Sequence, residues 1–325
     1  MNQNKLTIVM YHYVRDLQNS RFPSINGLSI NQFYEQIGYL QKNYHFVTME
    51  MVIDALEKES RLPEKSVLLT FDDAYSDHYT YVYPFLDKKG IQGSFYPPAK
   101  AITQHEVLDV NKIHFILATE SNKNKIINEI RNEIKSHSDE YRLNTFSYYF
   151  DKLAHATRYD SKEINFIKLI LQVELEESLR SKITNNLFEK IVGVEEHSFS
   201  RELYMDIEQL QCMRRHGMHI GSHGYNHYWL GSLNEENQKK EIEKSLDFLS
   251  LLGVNLNHWT MCYPYGNFNQ TTINLLQNYN CKLALTTEVN IANLKKHNRF
   301  ILPRLDTNDL PKKSSAVTEE WHLKG

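Results

Sequence analysis

Cysteine is scarce in this sequence of 325 residues: there are three, Cys212, Cys262 and Cys281, with no close pair. An odd, sparse set excludes a disulfide framework and fits free thiols in a reducing compartment. Long apolar runs are missing too. No stretch approaches the ~20 apolar residues that a helix needs to cross a bilayer. The run Leu6 to Met10, which follows Met1-Asn2-Gln3-Asn4-Lys5, is too short for the core of a signal peptide, and polar residues follow it. The expected compartment is the cytoplasm. A basic excess is the third absence. With 37 Lys and Arg against 40 Asp and Glu, the net charge is -3, so neither nucleic acid nor an anionic membrane is expected as the main partner. No internal repeat or low-complexity segment is visible.

The length suffices for one large domain or two modest ones with a sizeable core. Tyrosine is abundant at 20 residues, which suits either an aromatic sugar platform or simply a Tyr-rich core and surface. Three zones emerge. Residues 1–103 alternate short apolar runs with helical patterns. Leu6 to Met10 and Ser66 to Phe71 read as buried strands, and Gly93 to Tyr96 as another. Ser29 to Asn43 reads as a capped helix with Ile30, Phe33, Ile37 and Leu40 on one face, Thr48 to Lys58 as a second, and Asp77 to Lys89 as a third that stops at Gly90. This alternation predicts a βαβ unit and a parallel sheet. Residues 104–200 are rich in Lys, Glu, Asn and Ser. Ile127, Ile130 and Ile134 recur at helical spacing, as do Ile164, Ile167, Leu171, Leu175 and Leu179, then Ile183, Leu187 and Ile191. They predict a helical insertion that serves as a wall or lid, as an oligomer contact, or structurally. Residues 201–325 return to α/β alternation, with strands expected at His219 to Ser222, Thr260 to Pro264, Leu283 to Thr286 and Phe300 to Leu302, and a loosely held tail from Lys312.

The most informative residues are Asp72 and Asp73, at the end of the run Ser66 to Phe71. Neighbours at a strand end point in different directions, so one carboxylate can ligate a cation while the other acts as a base. A nearby cation would keep both ionised. Alone, Asp-Asp is more often the cap of a following helix. A second motif, Ser222-His223-Gly224-Tyr225-Asn226-His227, brings two imidazoles together on a helical turn or tight loop. One carboxylate, two imidazoles and open positions are the equipment of metal-assisted hydrolysis; zinc suits it, and cobalt, nickel or iron also fit. The turn Tyr263-Pro264-Tyr265-Gly266 offers a backbone donor for an oxyanion, though Pro-Tyr-Gly is also an ordinary turn. His12, at the end of the first strand, can protonate a leaving amine or be a plain core or surface histidine.

Together these motifs resemble the polysaccharide deacetylases of NodB-homology type, carbohydrate esterase family 4. Thr70-Phe71-Asp72-Asp73 matches the family's T-F-D-D-[GA], and Ser222 to His227 matches [ST]-H-x-x-x-H. The resemblance covers roughly residues 66 to 100 and 203 to 306 plus the first strand, and the helical segment is no part of the generic domain. It implies an α/β fold, a distorted (β/α) barrel with a helical insertion. It implies Asp72 as base, Asp73, His223 and His227 as metal ligands, and the Tyr265 N–H as oxyanion donor. Two departures stand out. Cys262 occupies the place of the family's Arg before Pro264, which leaves Arg304 as a candidate to orient the base. The family's late Leu-x-x-His is absent from Leu283 to Thr287, and His12 matches the N-terminal Tyr-His that serves as acid in the poly-N-acetylglucosamine branch. Asp306 is a candidate to orient His12.

The expected activity is removal of an N-acetyl group from an amino sugar, nucleotide-linked or lipid-linked, in bacterial O-antigen or capsule synthesis, with a homo-oligomer possible. De-N-formylation or O-deacetylation by the same site is the nearest rival. A saccharide-binding protein with a dead site is the rival of another class, since two family motifs are altered. A two-metal phosphohydrolase would need more His and Asp near the motifs.

Overall fold

The computed structural model describes residues 4–58, 60–157, 160–318 and 320–324. They form two compact units. The first comprises the chain up to Asp16, Gly27–Glu106, and the chain from Ser200 onward; the second comprises Leu17–Asn26 and Val107–Phe199.

The first unit is built on parallel strands. β1 (Lys5–Tyr11) and β2 (Ser66–Asp72) are buried along nearly their whole length. Their apolar residues run without alternation, as expected of parallel strands covered on both faces. They pair in parallel from Leu6 opposite Ser66 to Tyr11 opposite Phe71. β3 (Gly93–Tyr96) joins the far side of β2, and β4 (His219–Ile220) joins β3. A parallel bridge from Ser222 to Met261 leads to β5 (Met261–Cys262), which pairs with β6 (Ala284–Leu285). A second bridge, Leu285 to Leu302, leads toward β7 (Leu305–Asp306), and β7 pairs in parallel with β1. The strands therefore close into a distorted barrel. Its second half is held by two-residue strands and single bridges.

Local chemistry places the helices of this unit. In the helix Ile30–Asn43, Ser29 and Gln32 form a reciprocal capping box, and Phe33, Ile37 and Leu40 are buried. Thr48 caps Met49–Glu57. The helix expected over Asp77 to Lys89 instead begins as a π turn, His78–Val82, before Tyr83–Lys88. Pro84 has no N–H to donate, and the Tyr83 N–H bonds His78 O one residue beyond the α register. The strand expected at Phe300 to Leu302 reduces to the bridge at Leu302, because Pro303 has no N–H with which to extend the ladder. The tail, expected to be loose, is tied down. Ser314 donates through N and Oγ to Glu35 at 2.9 and 2.7 Å, Lys42 donates to Ser314 O at 2.8 Å, and a last helix covers Glu320–Lys324.

The second unit is helical, and no strand occurs among its described residues. Asp109–Thr119, Lys123–Ser136, Phe146–Leu153, Lys162–Leu169 and Glu177–Ile191 bury Ile113, Ile130, Phe166, Ile167, Leu179 and Ile183. The apolar stripe from Ile164 to Leu179 is interrupted, since a π turn, Ile170–Glu174, ends at an extended Leu175. Phe22 packs edge-on against Phe115 and Phe199, with centroids 4.8 and 5.7 Å away.

Candidate active site

β2 delivers both carboxylates at its C-terminal end. Asp73 turns into the left-handed region at φ 70°, a conformation that Asp tolerates better than most residues. Its side chain therefore leaves the strand direction of Asp72. Tyr75 donates its hydroxyl to Asp73 Oδ2 at 2.7 Å. Asp73 Oδ1 is buried and has no hydrogen-bond partner among the described residues. His223 Nε2 lies 3.5 Å from that oxygen, and His227 Nε2 lies 3.4 Å from it.

These spacings discriminate between two arrangements. A charge-assisted hydrogen bond between imidazolium and carboxylate runs about 2.7–2.9 Å. Ligand atoms about 2.0–2.2 Å from one tetrahedral ion stand roughly 3.4 Å apart. The observed separations match the second case. The His223 Nδ1–H donates to Cys262 O at 2.8 Å, an assignment that leaves Nε2 as the lone-pair nitrogen facing Asp73. Burial drives the His223 imidazole down to about 4, so at neutral pH it is uncharged, the form that ligates metals. Burial pushes the Asp73 carboxyl up, but His227, His12 and His223 more than offset this and hold it well below the usual range. An orphaned buried carboxylate oxygen facing two imidazole nitrogens fits a divalent cation. A second grouping, Asp72, His223 and Cys262, is also close-set. It is no separate site, because it needs the same His223 Nε2 and both Asp72 oxygens are already engaged.

Arg304 engages them. Its Nη1 and Nη2 donate to Asp72 Oδ1 and Oδ2 at 3.0 and 2.8 Å, a bidentate pair fully removed from solvent. The guanidinium is itself fixed, with Nε on Thr286 O at 2.8 Å and Nη1 on Thr70 Oγ1 at 3.1 Å. Cys262 Sγ lies 3.4 Å from Asp72 Oδ2. Burial raises the Asp72 carboxyl, yet Arg304, with His223 and His12, brings it to about 2. Asp72 is thus ionised at neutral pH and held in one orientation. His12 Nε2 lies 3.8 Å from Asp72 Oδ2, and its side chain is 40% exposed, so it is the solvent-facing member of the group.

Tyr265 occupies a left-handed turn at φ 57°, with its ring 4.7 Å from His227 and stacked on Trp229. The next residue must be glycine: φ is 67°, and a Cβ there would meet Thr287 Oγ1 at 2.2 Å. No hydrogen bond or ion pair joins Asp306 to His12 among the described residues. The Asp306 carboxylate instead caps the turn Thr307–Asp309 and accepts from Asn308 N and Nδ2 at 2.9 and 2.6 Å, donors from its own turn. Three members had escaped the sequence reading. Tyr75 holds Asp73, Glu241 accepts from Tyr225 and Asn226, and His78 Nε2 bonds His12 O at 2.7 Å. Only Tyr75, two residues past a carboxylate, carried any local signal.

Comparison with known proteins bears on the chain's family and fold. The family model described as Polysaccharide deacetylase matches residues 59–167 and 182–284, and so runs into the helical segment, well past residue 100. The Bacillus subtilis protein YxkH is 32% identical over 99 residues, 30% of this chain and 33% of that protein. The Escherichia coli poly-beta-1,6-N-acetyl-D-glucosamine N-deacetylase is 35% identical over 85 residues, 26% of this chain and 12% of that protein. The match thus spans a third or less of either relative's length. The solved structure of the Streptococcus pyogenes deacetylase PplD in complex with acetate superposes with a TM-score of 0.55 at 19% identity, over 93% of this chain and 92% of that one, a likeness of fold. With the family model matched over well more than half of its length, the chain belongs to the polysaccharide deacetylase family.

Proposed function

We propose that this chain is a metal-dependent hydrolase that removes the N-acetyl group of an amino sugar. The observation that carries the reading is the buried, unpartnered Asp73 Oδ1 facing His223 Nε2 and His227 Nε2, next to an Asp72 locked by Arg304. Asp73, His223 and His227 would hold the ion, and zinc is the ion we assign. When bound, it would supply Lewis acidity toward an acyl oxygen and acidify a water.

The chain's own residues would do the rest. Asp72 takes a proton from the attacking water. Its low proton affinity makes it a weak base, which would suit a water that a bound ion acidifies. Arg304 keeps it ionised and aimed. His12, exposed and near Asp72, hands a proton to the departing amine. The Tyr265 N–H, in a turn whose ring packs against His227, would be the oxyanion donor, the role that the family resemblance implies. The name of the Escherichia coli relative supports an N-acetylglucosamine-type substrate. We further assign the sugar to surface-polysaccharide synthesis, O-antigen or capsule, in nucleotide-linked or lipid-linked form on the cytoplasmic side.

The test is acetate release from UDP-linked, free and β-1,6-linked N-acetylated sugars, with chelator-stripped and zinc-restored protein. Zinc-dependent release would support the reading. Formate from N-formyl analogues, or acetate from O-acetyl esters alone, would reassign the acyl group. Zinc and sugar binding without turnover would make the chain a binding protein.

A further inference from the structure

His223 and His227 reach one oxygen of Asp73 only if the three residues between them keep one conformation. Gly224, Tyr225 and Asn226 lie outside any helix or strand, with Gly224 at φ 74° and His227 at φ 61°. No ladder serves their main-chain groups, so each needs a partner of its own. The carbonyls of Gly224 and Tyr225 accept from Ala99 N and Lys100 N at 3.1 and 2.9 Å. The Gly224 N–H donates to Ser222 Oγ at 3.1 Å. The Tyr225 and Asn226 N–H groups both donate to Glu241 Oε2, at 3.2 and 2.8 Å, and the Asn226 side-chain amide donates to Glu241 Oε1. Glu241 stands on the helix Glu235–Leu251 and is 4% exposed. One buried carboxylate thus ties three donors of the segment that joins the two imidazoles.

The geometry points to Glu241 as the positioning residue of the metal centre: its carboxylate holds Tyr225 and Asn226 so that both imidazoles converge on Asp73. This rests on the reading of Asp73, His223 and His227 as cation ligands. Glu241 is not one of the three cation ligands and acts through two main-chain N–H groups and the Asn226 side-chain amide. Groups that orient metal ligands from behind typically change affinity by about 10- to 100-fold when removed. A carboxylate that merely stabilised the fold would lower the unfolding midpoint and leave the affinity of the folded protein unchanged.

Competitive zinc titration of the full chain against a chromophoric chelator separates the two. Glu241→Ala is expected to bind zinc about 10- to 100-fold more weakly than wild type. Glu241→Gln, which keeps one acceptor oxygen, is expected to fall between them. Unfolding midpoints taken in chelator give the fold's share separately. Affinity of Glu241→Ala within about twofold of wild type would overturn the role, given the expected size of the effect. Should Glu241→Ala not fold, the near-isosteric Gln variant decides: a loss of about threefold or more supports the role, and parity overturns it. Wild type that binds no zinc overturns the metal reading itself, and this one with it. Wild type that binds zinc beside an unimpaired Glu241→Ala overturns only the role of Glu241.

Discussion

Replacing Arg304 by Met removes the charge and the donors while keeping most of the side chain's length. In the native fold the guanidinium is fully buried, paired through two hydrogen bonds with an Asp72 that is 2% exposed, and bonded to Thr286 O and Thr70 Oγ1. The variant leaves Asp72 as an uncompensated buried charge. Breaking a buried pair from one side costs about 3–5 kcal/mol. Thr286 O also loses the Arg304 donor, which costs roughly 1 kcal/mol more. A loss of about 4–6 kcal/mol would remove a large part of a stability that for native proteins is typically about 5–15 kcal/mol. Urea unfolding of chelator-stripped protein at pH 7 reads it as a lowered midpoint. The double-mutant cycle with Asp72→Asn isolates the pair. With the carboxylate already neutral, Arg304→Met should cost at least about 2 kcal/mol less than it does in wild type. A single-variant cost below about 1 kcal/mol would place the pair among solvated ion pairs and refute the account of Asp72 as a locked, ionised group.

Other consequences follow from the same contacts. Asp72→Asn should lose about 10²- to 10⁴-fold in deacetylation rate while zinc affinity, which depends on Asp73 rather than Asp72, stays near wild type; retained activity would remove Asp72 from the role of base. Burial drives the His78 imidazole from 6.5 to about 4, so the unfolded chain binds more protons between those values. Its stabilising share is full above pH 6.5 and is lost as pH falls through about 4, a change worth roughly 3 kcal/mol, and His78→Gln should flatten that slope in unfolding measured against pH. Gly266→Ala should cost about 1–3 kcal/mol and displace the Tyr265 turn, because it combines a left-handed φ with a contact to Thr287; thermal unfolding of this variant at the wild-type midpoint would contradict it.

What could be read from the sequence was what depends on near neighbours. β1 and β2 announce themselves as apolar runs without alternation, and Ser29 and Thr48 mark helix starts that the structure caps through those same side chains. The Asp72-Asp73 and His223–His227 motifs stood out by type and spacing, and the fold brings Asp73, His223 and His227 to one point. The pairing of Arg304 with Asp72 spans 232 positions and depends on β7 closing the ring onto β1, so local pattern named Arg304 only as a candidate. Asp306 misled for the opposite reason: with Asp309 three residues on, it forms a local capping box that no long-range role displaces. Glu241 and His78 sit inside helical runs, where an acid or a histidine is unremarkable until the loop it serves is seen in space. β4, β5 and β6 fall within the strands expected at His219, Thr260 and Leu283, though each is cut to two residues, whereas β7 is too short for any period to show.

Crystals grown with zinc, measured on both sides of its absorption edge, address the metal centre most directly. A single anomalous peak about 2.0–2.2 Å from Asp73 Oδ1, His223 Nε2 and His227 Nε2 is the predicted result. No peak there at saturating zinc, or a peak seated on Asp72 and Cys262 instead, would contradict the assignment of Asp73 as ligand and Asp72 as base.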